Sequence, residues 1–119
     1  MLNGSETIIA CLESLEKQQV DILEVLVSDD GSRDDSLSLI SRYQKRTKLN
    51  IRVIRNPNST GISTNCNFLA STACGDLIKF LFQDDLIDDD FFSKMLLPFT
   101  ENSNVSLVFC NRRLKLESD

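Results

Sequence analysis

Two short runs of nearly unbroken hydrophobic residues, Leu23 to Ser28 (LEVLVS) and Leu77 to Phe82 (LIKFLF), interrupt the helical periodicity of this chain, and each leads directly to a pair of aspartates. Parallel strands buried on both faces have this near-continuous apolar pattern. The segments around them repeat at helical spacing instead. Asn3-Gly4-Ser5-Glu6 opens a helix predicted to run to about Gln19, with Ile8, Ile9, Leu12 and Leu15 on one face and Asn3 or Ser5 as cap. Asp34, Asp35 and Ser36 cap a second helix, with Leu37, Ile40 and Tyr43 inward and Lys45, Arg46 and Lys48 at its negative end. Ile51 to Arg55, interrupted by polar Arg52, reads as an outer strand that ends in an Asn56-Pro57-Asn58 turn. Gly61 begins a third helix, with Ile62, Cys66, Leu69, Ala70, Ala73 and Cys74 on its sheet face and Gly75 as a left-handed C-terminal cap. Asp88-Asp89-Asp90 begins a fourth, with Phe91, Met95 and Leu96 inward and Pro98 near its end, and Val105 to Cys110 is the last strand. Helices alternating with strands predict an α/β fold with a mostly parallel sheet and right-handed crossovers.

Composition narrows the function. A length of 119 residues supports one domain or part of one. The net charge of -5 argues against a nucleic-acid partner, whose binding draws on basic patches. No apolar stretch approaches the ~18 residues of a membrane span, and the start has neither the basic residues nor the apolar run of a signal peptide. Cys11, Cys66, Cys74 and Cys110 lack metal-ligand spacing, and Cys66 and Cys74 on one helix lie about 12 Å apart at a ~1.5 Å rise. Free, mostly buried thiols in a reducing, cytosolic compartment are expected.

The chemistry gathers in the turns after the two runs, Asp29-Asp30-Gly31-Ser32 and Gln83-Asp84-Asp85-Leu86. Ligands of open α/β sheets bind beyond the carboxyl ends of the strands. Carboxylates gathered there, in a chain without histidine, suit a hard cation such as Mg²⁺ or Mn²⁺ carrying phosphates. Nucleotide or nucleotide-sugar chemistry follows. Taken alone, Asp29, Asp30 and Ser32 fit a plain turn; the second acidic turn shifts the balance toward a ligand. Asp88 to Asp90 read as a helix cap and solvated first turn, Asn65 and Asn67 equally as diphosphate neighbours or exposed polar residues, and Arg55 as half of a surface ion pair rather than a phosphate contact. Phe68, Phe80, Phe82, Phe91, Phe92 and Phe99 are assigned mostly to the core.

Asn3-Gly4-Ser5-Glu6-Thr7, Val27-Ser28-Asp29-Asp30-Gly31-Ser32, Gly61-Ile62-Ser63-Thr64-Asn65-Cys66-Asn67 and Gly75-Asp76-Leu77-Ile78-Lys79-Phe80-Leu81-Phe82-Gln83-Asp84-Asp85 together resemble the nucleotide-sugar-binding half of family 2 glycosyltransferases, inverting enzymes of the GT-A fold. The resemblance spans nearly the whole chain. It implies that Asp29 and Asp30 bind the base and ribose of a UDP-linked nucleotide-diphospho-sugar, that Asp84 serves ribose and metal, and that Asp85 is the direct ligand of Mg²⁺ or Mn²⁺. The sugar would pass to a hydroxyl acceptor, a glycan or lipid-linked sugar. The family often has an acidic residue where Phe82 stands and an arginine where Cys66 stands. It also has a central strand directly before the position of Asn3, and its general base lies beyond the position of Asp119. Residues 1–119 thus resemble part of a donor-binding domain truncated at both ends, cytoplasmic or peripheral at a membrane. A non-catalytic nucleotide-binding or interaction domain and a receiver-like phospho-acceptor domain are the alternatives.

Overall fold

The computed structural model describes residues 1–55 and 61–114. Its elements run α1 (Ile8–Glu16), β1 (Val25–Asp29), α2 (Ser36–Gln44), β2 (Ile51–Arg55), α3 (Ile62–Thr72) and α4 (Phe91–Glu101). β1 and β2 pair in parallel from Val25↔Ile51 to Asp29↔Arg55, joined through α2 as parallel strands require. α1 buries Ile8, Cys11, Leu12 and Leu15, the i, i+3, i+4, i+7 stripe of an amphipathic helix. These side chains pack with Val27, Ile40, Tyr43 and Ile51 to form the core. The Tyr43 hydroxyl donates to Glu16 Oε2 at 2.5 Å and the Thr47 hydroxyl to Glu16 Oε1 at 2.7 Å, tying α2 to the end of α1. Burial and this carboxylate push the Tyr43 phenol up to about 12, and the two hydroxyl bonds hold Glu16 below its ordinary value. β2 is the outer strand, as the polar Arg52 suggests; Arg52, Val53 and Arg55 are exposed.

Several expectations change. Neither Leu77 to Phe82 nor Val105 to Cys110 forms a strand. A strand is held by ladder bonds to a neighbour, and neither segment has one among the described residues. Most of their apolar side chains face solvent: Leu77, Ile78, Phe80, Phe82, Leu107 and Phe109 are exposed, while Leu81 packs against the core. Of the phenylalanines assigned to the core, Phe80 and Phe82 are exposed, Phe68, Phe91 and Phe99 are half-buried, and Phe92 packs against the core from its edge. None of the four described helices has a side-chain cap bond, so the caps expected from Asn3 or Ser5, from Asp34 to Ser36 and from Asp88 to Asp90 are corrected. Asn3 to Ser5 bind the first acidic turn instead, which removes them as caps. α3 ends in an extended Ala73, and Gly75 lacks the left-handed conformation expected of it, because the chain leaves that helix extended. α4 includes Pro98 and continues to Glu101. All four cysteines are free, but only Cys11 is buried, with Cys74 and Cys110 exposed. The expected Asn56-Pro57-Asn58 turn lies outside the described residues.

Candidate functional site

The first acidic turn leaves the carboxyl end of β1. Asp29 points inward with a fully buried side chain. Its Oδ1 accepts the Ser32 N–H at 3.2 Å and its Oδ2 the Gly31 N–H at 3.3 Å, an Asx-type turn built on its own loop. Gly31 has φ +90, which glycine adopts without steric cost. Asn3 Oδ1 accepts the Arg33 N–H at 2.9 Å, while the N–H groups of Asn3, Gly4 and Ser5 bond Ser32 Oγ, Ser36 Oγ and Asp34 Oδ2. Bonds from Ser36 and Ser5 hold the Asp34 carboxyl well below the usual carboxylate range. The loop is thus fixed by the opening residues of the chain, a role that hides in sequence because those contacts span about thirty residues. Asp30 differs from its neighbour: its Oδ1 is buried and has no hydrogen-bond partner among the described residues. A buried acceptor left unpaired costs roughly 1–3 kcal/mol, so it is suited to an N–H from a ligand.

The second turn lies one strand position away. The Met1 ammonium donates to Ser28 O at 2.6 Å and the Asp30 N–H to Met1 O at 2.8 Å, a parallel bridge beside β1. On the opposite side of this two-residue segment, Gln83 brackets Leu2 with both amide atoms, Oε1 accepting the Leu2 N–H at 3.0 Å and Nε2 donating to Leu2 O at 3.1 Å. The Gln83 amide therefore takes the place of a neighbouring strand's peptide. It also passes so close to Gly4 that a Cβ there would stand 2.9 Å from it. The first acidic turn and Gln83 of the second consequently flank Met1 and Leu2 at the carboxyl end of β1. Beneath the second turn, the Cys11 thiol donates to Phe82 O at 3.5 Å. Burial, with the nearby Asp85 and Asp84 charges, pushes that thiol up to about 11. Neither Gln83 nor Cys11 was signalled by motif; a glutamine between an apolar run and an acidic pair was the available hint.

Asp84 is exposed. Asp85 bonds Arg112 Nη2 through Oδ1 at 2.9 Å, and Arg113 pairs with Asp88 at 3.2 Å. Asp90 pairs with the exposed Lys94 at 2.5 Å across the first turn of α4, and Asp88 and Asp89 are exposed, in keeping with a solvated role for these carboxylates. Asn65 is buried and accepts the Ser28 hydroxyl, so its oxygen fixes α3 to β1, while Asn67 is exposed. Arg55 brings Nε to 3.8 Å from the buried Asp29 Oδ2, which makes its partner an interior rather than a surface carboxylate. Among the described residues no three His, Cys, Asp or Glu side chains converge on one metal position. The oxygen donors of Asp84 and Asp85 nevertheless fit a hard cation that takes its remaining ligands from phosphate and water, provided Arg112 yields Asp85 Oδ1. A concavity of about 870 Å³ lies elsewhere, between α1 and residues 86–90, and its lining includes Lys17 and Lys94 as well as Glu13 and Asp88 to Asp90. Its mixed charges point to no single ligand, and the strand-end turns are the better candidate.

The sequence profile of Glycosyl transferase family 2 matches residues 1–117. The chain is 34% identical over 115 residues to the putative glycosyltransferase EpsH of Bacillus subtilis, covering 96% of this chain and 32% of that protein. It is 30% identical over 111 residues to chondroitin synthase of Escherichia coli, covering 93% of this chain and 16% of that protein. The crystal structure of S. aureus TarS 1-349 superposes with a TM-score of 0.76 at 30% identity, over 85% of this chain and 30% of that one. TarS 1-349 has also been solved with UDP and with UDP-GlcNAc. This chain thus spans about a third or less of the length of these proteins. The α/β architecture is that of the GT-A fold, and no described helix is long and apolar enough to cross a membrane. The chain belongs to glycosyl transferase family 2.

Proposed function

We propose that residues 1–119 are the donor-binding portion of an inverting glycosyltransferase, holding a nucleotide-diphospho-sugar, UDP-linked, between the two acidic turns. The observation that carries this reading is the placement of both turns on either side of Met1 and Leu2, with the buried Asp30 Oδ1 unpaired. The TarS complexes with UDP and UDP-GlcNAc support the donor class. Asp30 accepts the base N–H, Asp29 holds the turn that presents it, Asp84 meets ribose and metal, and Asp85 binds Mg²⁺ or Mn²⁺. When bound, the cation neutralises the diphosphate and stabilises the leaving nucleoside diphosphate. Asp85 must exchange Arg112 for it. The acceptor is a hydroxyl of a glycan or lipid-linked sugar, and the base that activates it belongs to the rest of the protein. The free cysteines suit the reducing cytoplasm, with the whole protein peripheral at a membrane.

Thermal melting tests this reading. UDP with Mn²⁺ is expected to stabilise the chain by about 2.7 kcal/mol at a hundredfold excess over Kd. Asp85→Asn should remove the metal-dependent part of that shift. Arg112→Gln should enlarge it at low Mn²⁺, because the competing guanidinium is gone. An equal UDP shift in excess chelator would exclude the metal assignment, and no shift under any condition would exclude the donor assignment.

A further inference from the structure

The outer edge of the first acidic turn carries a second unspent group besides Asp30. Arg55 closes β2, directly opposite Asp29 in the parallel register. Its Nε faces Asp29 Oδ2 at 3.8 Å, and its side chain is 73% exposed. Both Asp29 oxygens already accept backbone N–H groups of the turn. The ion pair therefore orients the guanidinium without saturating it, since arginine carries five N–H donors in a planar fork. The lateral order at this edge runs from β2 through β1 and Met1–Leu2 to the Gln83 turn. Arg55 thus stands on the side of the Asp29–Asp30 turn away from Asp84 and Asp85, where the metal and diphosphate belong. It lies at the nucleobase end of any ligand that spans the two turns. There Asp30 offers a buried acceptor with no partner among the described residues, and Arg55 offers donors from the adjoining strand, opposite Asp29.

On the nucleotide-sugar reading above, we infer that Arg55 selects the base: it donates to a ring carbonyl while Asp30 accepts the adjacent ring N–H, so the site requires an imide edge. Uracil presents that N–H next to a carbonyl. Cytosine presents a bare ring nitrogen and an amino group, which sets acceptor against acceptor at Asp30 and donor against donor at Arg55. A buried polar site rejects such a mismatch strongly because its own groups are left unpaired.

Calorimetric titration of the chain with UDP, CDP and uridine, for wild type, Arg55→Gln and Arg55→Lys, tests the inference. Wild type should prefer UDP over CDP by at least about tenfold. Arg55→Gln should weaken UDP and uridine by the same factor of about ten and leave CDP unchanged, collapsing the preference. Arg55→Lys, which keeps the positive charge at Asp29 but lacks the planar fork, should retain the wild-type melting temperature and still lose most of the selectivity. Equal weakening of UDP and CDP would overturn the inference in favour of a structural role. Weakening of UDP with uridine unchanged would overturn it in favour of a phosphate contact. Binding of UDP that neither substitution alters would overturn it while leaving the donor reading intact, whereas a wild type that binds none of the three ligands would overturn the donor reading itself.

Discussion

A chain extended before Met1 by five residues of alternating Val and Ile is expected to melt about 10 °C higher than the chain as it stands and to bind UDP more tightly. The reason is hydrogen-bond accounting along β1. The Val25 N–H bonds Asn50 O at 2.8 Å, so the odd-numbered residues of β1 serve β2, and Leu26 and Ser28 turn their backbone groups to the other side. There Met1 meets Ser28 O and the Asp30 N–H. Residues placed before it in the same register would meet Leu26 O and the Ser28 N–H. They would also lie alongside residues 77–82, whose exposed Leu77, Ile78, Phe80 and Phe82 could then pair and pack. Two or three added backbone bonds at ~1 kcal/mol each, together with part of that apolar burial, give about 2–4 kcal/mol. For a chain of 119 residues ~1 kcal/mol corresponds to roughly 3–5 °C. Binding improves in parallel because Met1 and Gln83 hold the two turns at their spacing. Calorimetric melting and UDP titration of both chains side by side measure this; no gain in melting temperature would show that the open side of β1 is not the site of strand addition.

Substitution at the two adjacent aspartates should separate binding from folding. Asp30→Asn is expected to weaken UDP by roughly 10- to 100-fold, since a hydrogen bond to a charged group contributes about 1.5–3 kcal/mol. Its melting temperature should hold or rise, because the buried oxygen it alters has no partner among the described residues. Asp29→Asn should behave oppositely. Its carboxylate accepts two turn N–H groups and faces Arg55, so its loss lowers the melting temperature and affects UDP through the turn. Equal effects of the two substitutions on both readouts would contradict this division of roles.

How far the sequence revealed this arrangement depends on the range of the forces involved. The apolar stripe of α1, the run from Leu23 to Ser28 and the interrupted pattern of Ile51 to Arg55 are local signals, and the elements they predict are present. The run from Leu77 to Phe82 has the same local character but forms no strand, because strand formation needs a partner that hydrophobic pattern alone does not supply. The acidic turns were legible as Asp-rich strand ends. The division of labour between Asp29 and Asp30 was not, since two neighbouring aspartates look alike until one is seen turned into its own loop. Contacts that fix the second turn, Gln83 with Leu2 and Cys11 with Phe82, join residues separated by 81 and 71 positions. No local pattern announces such pairs. Arg112 and Asp85 likewise meet across 27 positions, and their pairing alters how the metal position must be described.

Amide relaxation in the presence of Mn²⁺, measured by NMR with and without UDP, tests most directly whether the two turns hold one ligand. With UDP present, Mn²⁺ at substoichiometric concentration should broaden the amides of Asp84 and Asp85 most strongly and those of Asp30 to Ser32 more weakly, and both effects should be lost together in Asp85→Asn. Broadening centred on Asp88 to Asp90, or confined to one turn whether or not UDP is present, would contradict a shared nucleotide-diphosphate site.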